Sequence, residues 1–159
     1  MTVIFTTNLE HHLLVQGQDM PISEPNNSNS YSTIDGIPCD IEEHSNYHSH
    51  VKLDINIDNK PYPIPENIGI IPYECLYWLH THDNSGVIHI EAPIENTFTL
   101  GQFLNIWKVF DNSTIVEDIA NNSLNITSVP VNGKEANSSI DYSGIELIDN
   151  AIISINFTR

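Results

Sequence analysis

The chain has 159 residues, which is enough for one domain with a single hydrophobic core and too short for two. Its 21 acidic residues against 5 basic ones give a formal net charge of −16. Such a surface repels nucleic-acid phosphates and anionic membranes, so neither is predicted as a partner, whereas cations are attracted. The sequence as given predicts no membrane span and no signal peptide.

The first part of the chain, over residues 1–32, is predicted to be loosely packed. Residues 20–32 are polar and contain two prolines, as in a linker. Two short apolar clusters before them, at 3–5 and 13–15, predict edge strands. Residues 33–159 are predicted to form a single β-rich domain.

Two patterns predict strands in that domain. Over 47–57 apolar residues alternate with polar ones, as in a strand with one buried face, and residues 59–65 interrupt the pattern. The segments 75–82 and 87–91 are separated by the Asp-Asn-Ser-Gly sequence at 83–86. Glycine there can adopt a positive φ, and Asp or Asn can bond the local backbone, so a β-hairpin is predicted.

One helix is predicted over about 99–110. Residues 99–102 have the Thr-x-x-Gln form of a capping box. The apolar stripe that follows consists of Leu100, Phe103, Leu104, Trp107 and Phe110. Beyond it, turn signals at 132–133 and 149–150 and a terminal strand at 152–157 return to β-structure. The predicted fold is therefore mostly β, an antiparallel sheet, sandwich or barrel-like domain with one packed α-helix.

The cysteines Cys39 and Cys75 leave three alternatives open: a disulfide outside the cell, buried thiols inside it, or metal ligands. Asn-x-Ser/Thr triplets, candidate glycan acceptors, recur in a chain rich in these residue types and mildly favour an extracytoplasmic location. They begin at Asn26, Asn112, Asn121, Asn125, Asn137 and Asn156.

The predicted hairpin brings three histidines together. His80 and His82 are two apart on one strand and share a face. If His82 pairs with Val87 across the turn, His80 lies directly opposite His89, with Cβ atoms about 5 Å apart. Three imidazoles facing one centre predict a copper or zinc site with a position open for water or a substrate.

Further candidates extend the same face. Glu91 is two residues beyond His89 and is predicted as a fourth ligand, an acceptor for a ring N–H, or a proton acceptor in catalysis. His48 and His50 form a second His-x-His pair, with Asp54 on the same face. If their strand neighbours the hairpin, they either bind a second ion or support the ligands of the first.

Other polar residues are predicted to lie outside the site. His44 is a weaker candidate, and the adjacent His11 and His12 would point to opposite faces of a strand. Asp83 is interpreted as a turn residue. The acidic run 40–43 lacks the spacing of a calcium-binding EF-hand and is interpreted as a solvated loop.

A type 1 copper site is disfavoured because both methionines, Met1 and Met20, precede Cys75. Cys75 also has the opposite strand parity from His80, so its side chain should point away from the three histidines. This parity favours a disulfide with Cys39 over metal ligation.

The sequence also resembles a family of uncharacterised exported or membrane-anchored prokaryotic proteins. The resemblance rests on Cys-Leu-Tyr-Trp-Leu-His-Thr-His-Asp-Asn-Ser-Gly-Val-Ile-His-Ile-Glu at 75–91, with support from motifs on both sides. Those motifs are Thr-Phe-Thr-Leu-Gly-Gln-Phe at 97–103, Asp-Gly-Ile-Pro-Cys at 35–39, Tyr-His-x-His at 47–50 and Ile-Pro-x-x-Ile-Gly-Ile at 64–70. The resemblance implies that residues 1–32 are an N-terminal extension and that both cysteines and five of the histidines belong to the family pattern. It implies no reaction. A geometric similarity links the three-histidine arrangement to the zinc site of α-type carbonic anhydrases.

Three functions are consistent with these patterns. The first is an extracytoplasmic protein that holds copper or zinc for binding, delivery or redox chemistry, with Cu(II) favoured by the Irving–Williams order. The second is a hydrolytic or hydrating metalloenzyme whose metal-bound water is acidified. The third is a surface or adhesion module in which the histidines only form hydrogen bonds. The sequence identifies no protein partner.

Overall fold

A computed structural model describes residues 31–136 and 141–159 of the chain. More of these residues lie in strands than in helices, which confirms the predicted mostly β fold class. The strands are β1 (Cys39–Asp40), β2 (Tyr47–Ile57), β3 (Lys60–Tyr62), β4 (Ile70–Ile71), β5 (Cys75–Tyr77), β6 (Leu79–His80), β7 (Val87–Ala92), β8 (Asn125–Ser128), β9 (Pro130–Val131), β10 (Lys134–Glu135) and β11 (Ile152–Thr158). The helices are α1 (Leu100–Phe110), α2 (Thr114–Ala120) and a 3₁₀ turn at Tyr142–Gly144.

The N-terminal predictions fall largely outside the described residues. This applies to the edge strands at 3–5 and 13–15 and to nearly all of the linker. The boundary between residues 32 and 33 therefore stays a prediction. Tyr77 does donate a hydrogen bond from its hydroxyl to the carbonyl oxygen of Ser32, at 2.9 Å.

Strand β2 lies in the middle of the main sheet, whose strand order is β10-β9-β11-β2-β7-β6. It pairs antiparallel with β7 and parallel with β11, so the sheet is mixed. The predicted alternation is confirmed: residues such as Val51 and Leu53 are buried, while Lys52 and Asp54 face outward and are partly exposed. In the described part of the chain the strands do not close into a barrel.

The interruption predicted at 59–65 is a tight hairpin. Asp58 and Asn59 both have positive φ angles, of 52° and 61°. Two successive residues with positive φ form a tight turn whose twist matches the right-handed twist of the flanking strands. Asn and Asp adopt positive φ more readily than most other residues. The chain therefore folds back, and β3 pairs with the end of β2.

The run 75–82, predicted as one strand, is divided at Trp78 between two sheets. β5 belongs to the smaller sheet, in the order β1-β5-β4, while β6 pairs with β7 in the main sheet. The backbone amide of Glu91 donates to the Trp78 carbonyl, so the β6–β7 ladder continues through the break. Cys39 and Cys75 form a disulfide between β1 and β5, as predicted.

The predicted helix is confirmed as α1, with Thr99 as its N-cap. The Thr99 hydroxyl accepts from the Gln102 amide, and the Gln102 side chain accepts from the Thr99 amide. The apolar side of α1 joins the inner face of the sheet in one core. Its buried residues are Leu100, Phe103, Leu104, Ile106 and Trp107. Helix α2 was not predicted, because its two turns bury only Val116 and Ile119, too few for a visible stripe.

Among the described residues, no helix is long and apolar enough to cross a membrane.

Candidate metal centre

The outer face of the main sheet brings five histidines and one glutamate together. His50 on β2 lies directly opposite His89 on β7, and His89 lies opposite His80 on β6. These three residues form one row across three adjacent strands. His48 and Glu91 are opposite each other in the next row. The predicted opposition of His80 and His89 is thus confirmed, and the strand adjacency that the sequence left as a condition for His48 and His50 is present.

The first group lies over the gap between β6 and β7. His80, His82, His89 and Glu91 each offer one ligand atom, and these four atoms lie within 4.8 Å of one another. The Nε2 atoms of His80 and His82 are 3.1 Å apart. With metal–nitrogen bonds of about 2.0–2.1 Å, two ligands are about 2.9 Å apart at a right angle and about 3.3 Å apart in a tetrahedron. The observed spacing therefore fits two ligands of one ion.

The second group lies over the gap between β7 and β2. His48, His50 and His89 also place ligand atoms within 4.8 Å of one another. Their closest pair, the Nε2 atoms of His48 and His50, is again 3.1 Å apart. His89 belongs to both groups because its strand lies between the other two.

A backbone contact orients the His80 ring. Nδ1 of His80 lies 2.8 Å from the carbonyl oxygen of Tyr77. A carbonyl oxygen can only accept, so Nδ1 carries the proton and Nε2 of the neutral ring presents its lone pair. The lone pair faces His82, which is the orientation that a metal ligand requires.

Burial keeps the central histidines in the neutral form that binds metal. His80 is fully buried, and desolvation lowers its pKa to about 4. Burial also lowers the pKa of His89 to about 4, with the neighbouring histidines adding to the effect. Both rings are therefore unprotonated at neutral pH and can act as ligands.

Two buried polar atoms in this cluster have no hydrogen-bond partner among the described residues. They are Nδ1 of His89 and Oε2 of Glu91. Burial raises the pKa of Glu91 above its usual value, because the carboxylate loses solvation. Orphaned buried donors and acceptors are unusual and costly, and a cation would provide the carboxylate with a partner.

Comparisons of the chain with protein families, with curated proteins and with solved structures found no match. The family resemblance drawn from the sequence therefore stays a prediction. The function has to be inferred from the geometry of this cluster.

Most other candidates have separate roles. His44 Nε2 lies 2.7 Å from Asp40 Oδ2 and contributes to neither group. Asp54 pairs with Lys52 at 2.9 Å. Asp83 Oδ1 accepts from the Ser85 backbone amide, as a turn residue does. His11 and His12 lie outside the described residues.

The sequence reasoning missed one nearby acid. Glu43, in the run interpreted as a solvated loop, places Oε1 3.9 Å from Nε2 of His82. Both side chains are exposed, at 59% for Glu43 and 40% for His82. The loop before β2 brings Glu43 there, and no local pattern in the sequence indicates this contact.

Proposed function

We propose that the protein is an extracytoplasmic metal-binding protein that holds copper or zinc through His80, His82 and His89, with Glu91 as a fourth donor. The observation that carries the proposal is the convergence of these four side chains on the outer face of the β6–β7 pair. The His80 and His89 rings are already neutral, and a backbone contact orients His80, so little reorganisation is needed for binding.

The donor set favours late first-row metals. Imidazole suits copper and zinc, and the only cysteines of the chain are joined in a disulfide, so no thiolate competes. At equal availability the Irving–Williams order places Cu(II) above Zn(II). A net charge of −16 raises the local concentration of cations, more strongly at low salt.

The extracytoplasmic location is supported by the disulfide between Cys39 and Cys75. Disulfides persist in oxidising compartments and are rare where thiols are kept reduced. The recurring Asn-x-Ser/Thr triplets agree with this location.

The test is metal titration of protein that carries no histidine tag and has been stripped with a chelator. Calorimetry with Cu(II) and Zn(II) should reveal tight binding by the native chain. His80→Ala and His89→Ala should weaken it by roughly 100-fold or more, because each removes a direct ligand. His44→Ala should leave binding unchanged, because its ring pairs with Asp40 outside the cluster.

The proposal fails if the native chain binds neither metal, or if all three variants bind as tightly as the native chain. Circular dichroism of each variant should accompany the titration. A folded His89→Ala protein without metal then reports ligation and not unfolding.

A further inference from the structure

We propose that the sheet face holds two metal ions side by side. The first is the ion of the proposed function, on which this inference rests, and it would be held by His80, His82 and Glu91 once a second ion is bound. The second would be bound by His48, His50 and His89, the residue that both groups share. The cluster would then be a dinuclear centre.

The donors divide evenly between the two positions. The cluster offers six side chains, and the two groups of ligand atoms lie over neighbouring gaps between strands. Adjacent strands are about 4.8 Å apart, so the two ions would lie about 5 Å from each other. His80, His82 and Glu91 give three donors on the β6 side, and the other three histidines give three on the β2 side. Three protein ligands per ion leave further positions open for water.

The two middle residues can serve either ion. His89 stands in the central row between His80 and His50, with ring centroids 5.7 Å and 4.5 Å away. Glu91 reaches both groups through different oxygens: Oε1 lies 3.2 Å from His48 Nε2, and Oε2 lies 3.9 Å from His80 Nε2. A carboxylate with one oxygen toward each group is placed to bridge two cations.

The charges around the cluster also fit two cations. Two divalent ions at this spacing repel each other, and an anion between them reduces that repulsion. Glu91 is in this position, buried between the groups. Further carboxylates lie at both ends: Glu43 is next to His82, and Asp149 accepts from the backbone amide of His50 at 3.0 Å.

The experiment counts ions in paired variants. After chelator treatment and reloading with Zn(II), the native chain should retain two ions per chain by elemental analysis. The double variant His48→Ala/His50→Ala should retain one, and so should His80→Ala/His82→Ala. His44→Ala, the matched histidine control outside both groups, should retain two.

A second measurement needs no variant. Two Cu(II) ions about 5 Å apart couple magnetically, so the fully loaded native chain should give a half-field electron paramagnetic resonance signal and lose part of its normal intensity. The His48→Ala/His50→Ala protein should give the spectrum of an isolated Cu(II) ion.

The outcomes separate the two proposals. One ion in the native chain, unchanged in the His48→Ala/His50→Ala protein and without a half-field signal, would overturn the dinuclear centre and leave the proposed function intact. No bound ion in the native chain would overturn both.

Discussion

Acid should destabilise the metal-free protein through His80. The pKa of this ring is lowered from 6.5 to about 4 by burial. Above about pH 6.5 the ring is neutral in both the folded and the unfolded chain, so it does not make the free energy of unfolding depend on pH. Between about pH 6.5 and about pH 4 the unfolded chain binds a proton that the folded chain does not. The free energy of unfolding therefore falls as the pH falls through this window.

The size of this effect on the free energy of unfolding follows from the shift in the pKa of His80. Each pKa unit corresponds to about 1.36 kcal/mol, so a change from 6.5 to about 4 corresponds to about 3 kcal/mol. That is a large part of the stability of an ordinary domain. His89 contributes with the same sign, because its pKa is lowered as well. Glu91 contributes with the opposite sign, because a raised pKa makes the folded chain bind a proton first as the pH falls.

The assay is urea unfolding at a series of pH values from about 4.5 to about 8 in the presence of a chelator, with the native chain beside His80→Gln. The amide side chain of the variant cannot titrate, so the difference in slope between the two proteins isolates the contribution of His80. Equal slopes in both proteins across this range would refute the reasoning that burial holds His80 neutral.

Three further predictions concern the scaffold, each measured by urea unfolding. Gly69→Ala should cost about 3 kcal/mol and weaken metal binding, because the residue has a φ of +78° and its new Cβ would lie 2.7 Å from the backbone oxygen of Leu79. An unchanged midpoint of urea unfolding would contradict the predicted clash with the Leu79 oxygen. Cys39→Ala/Cys75→Ala should cost about 4 kcal/mol, because the bridge closes a loop with a sequence separation of 36; a loss well below about 1 kcal/mol would contradict it. Thr99→Ala should cost about 1 kcal/mol through loss of the N-cap, with Thr99→Ser as the conservative control.

Several elements of the fold could be predicted from the sequence because they depend on local periodicity. The alternation over 47–57 determines which side chains of β2 face outward, and the turn at 83–86 determines that His80 meets His89. The capping box at Thr99 marks the start of α1. In each case the signal and the structure that it specifies lie within a few residues of each other.

Other features were decided only by the tertiary structure. The neighbour of β2 on one side is β7, which is distant in sequence, and on the other side it is β11, near the end of the chain. Nothing local specifies such pairings, because they depend on which apolar faces bury each other in the complete core. The division of the predicted strand at Trp78 and the burial of Glu91 follow from the same packing.

The candidate site divides in the same way. The sequence by itself put His80, His82 and His89 on one face, since side chains two apart on a strand share a side and a hairpin has a fixed register. Only the tertiary structure brought His48 and His50 to the same cluster, because long-range strand pairing decides what lies beside a hairpin.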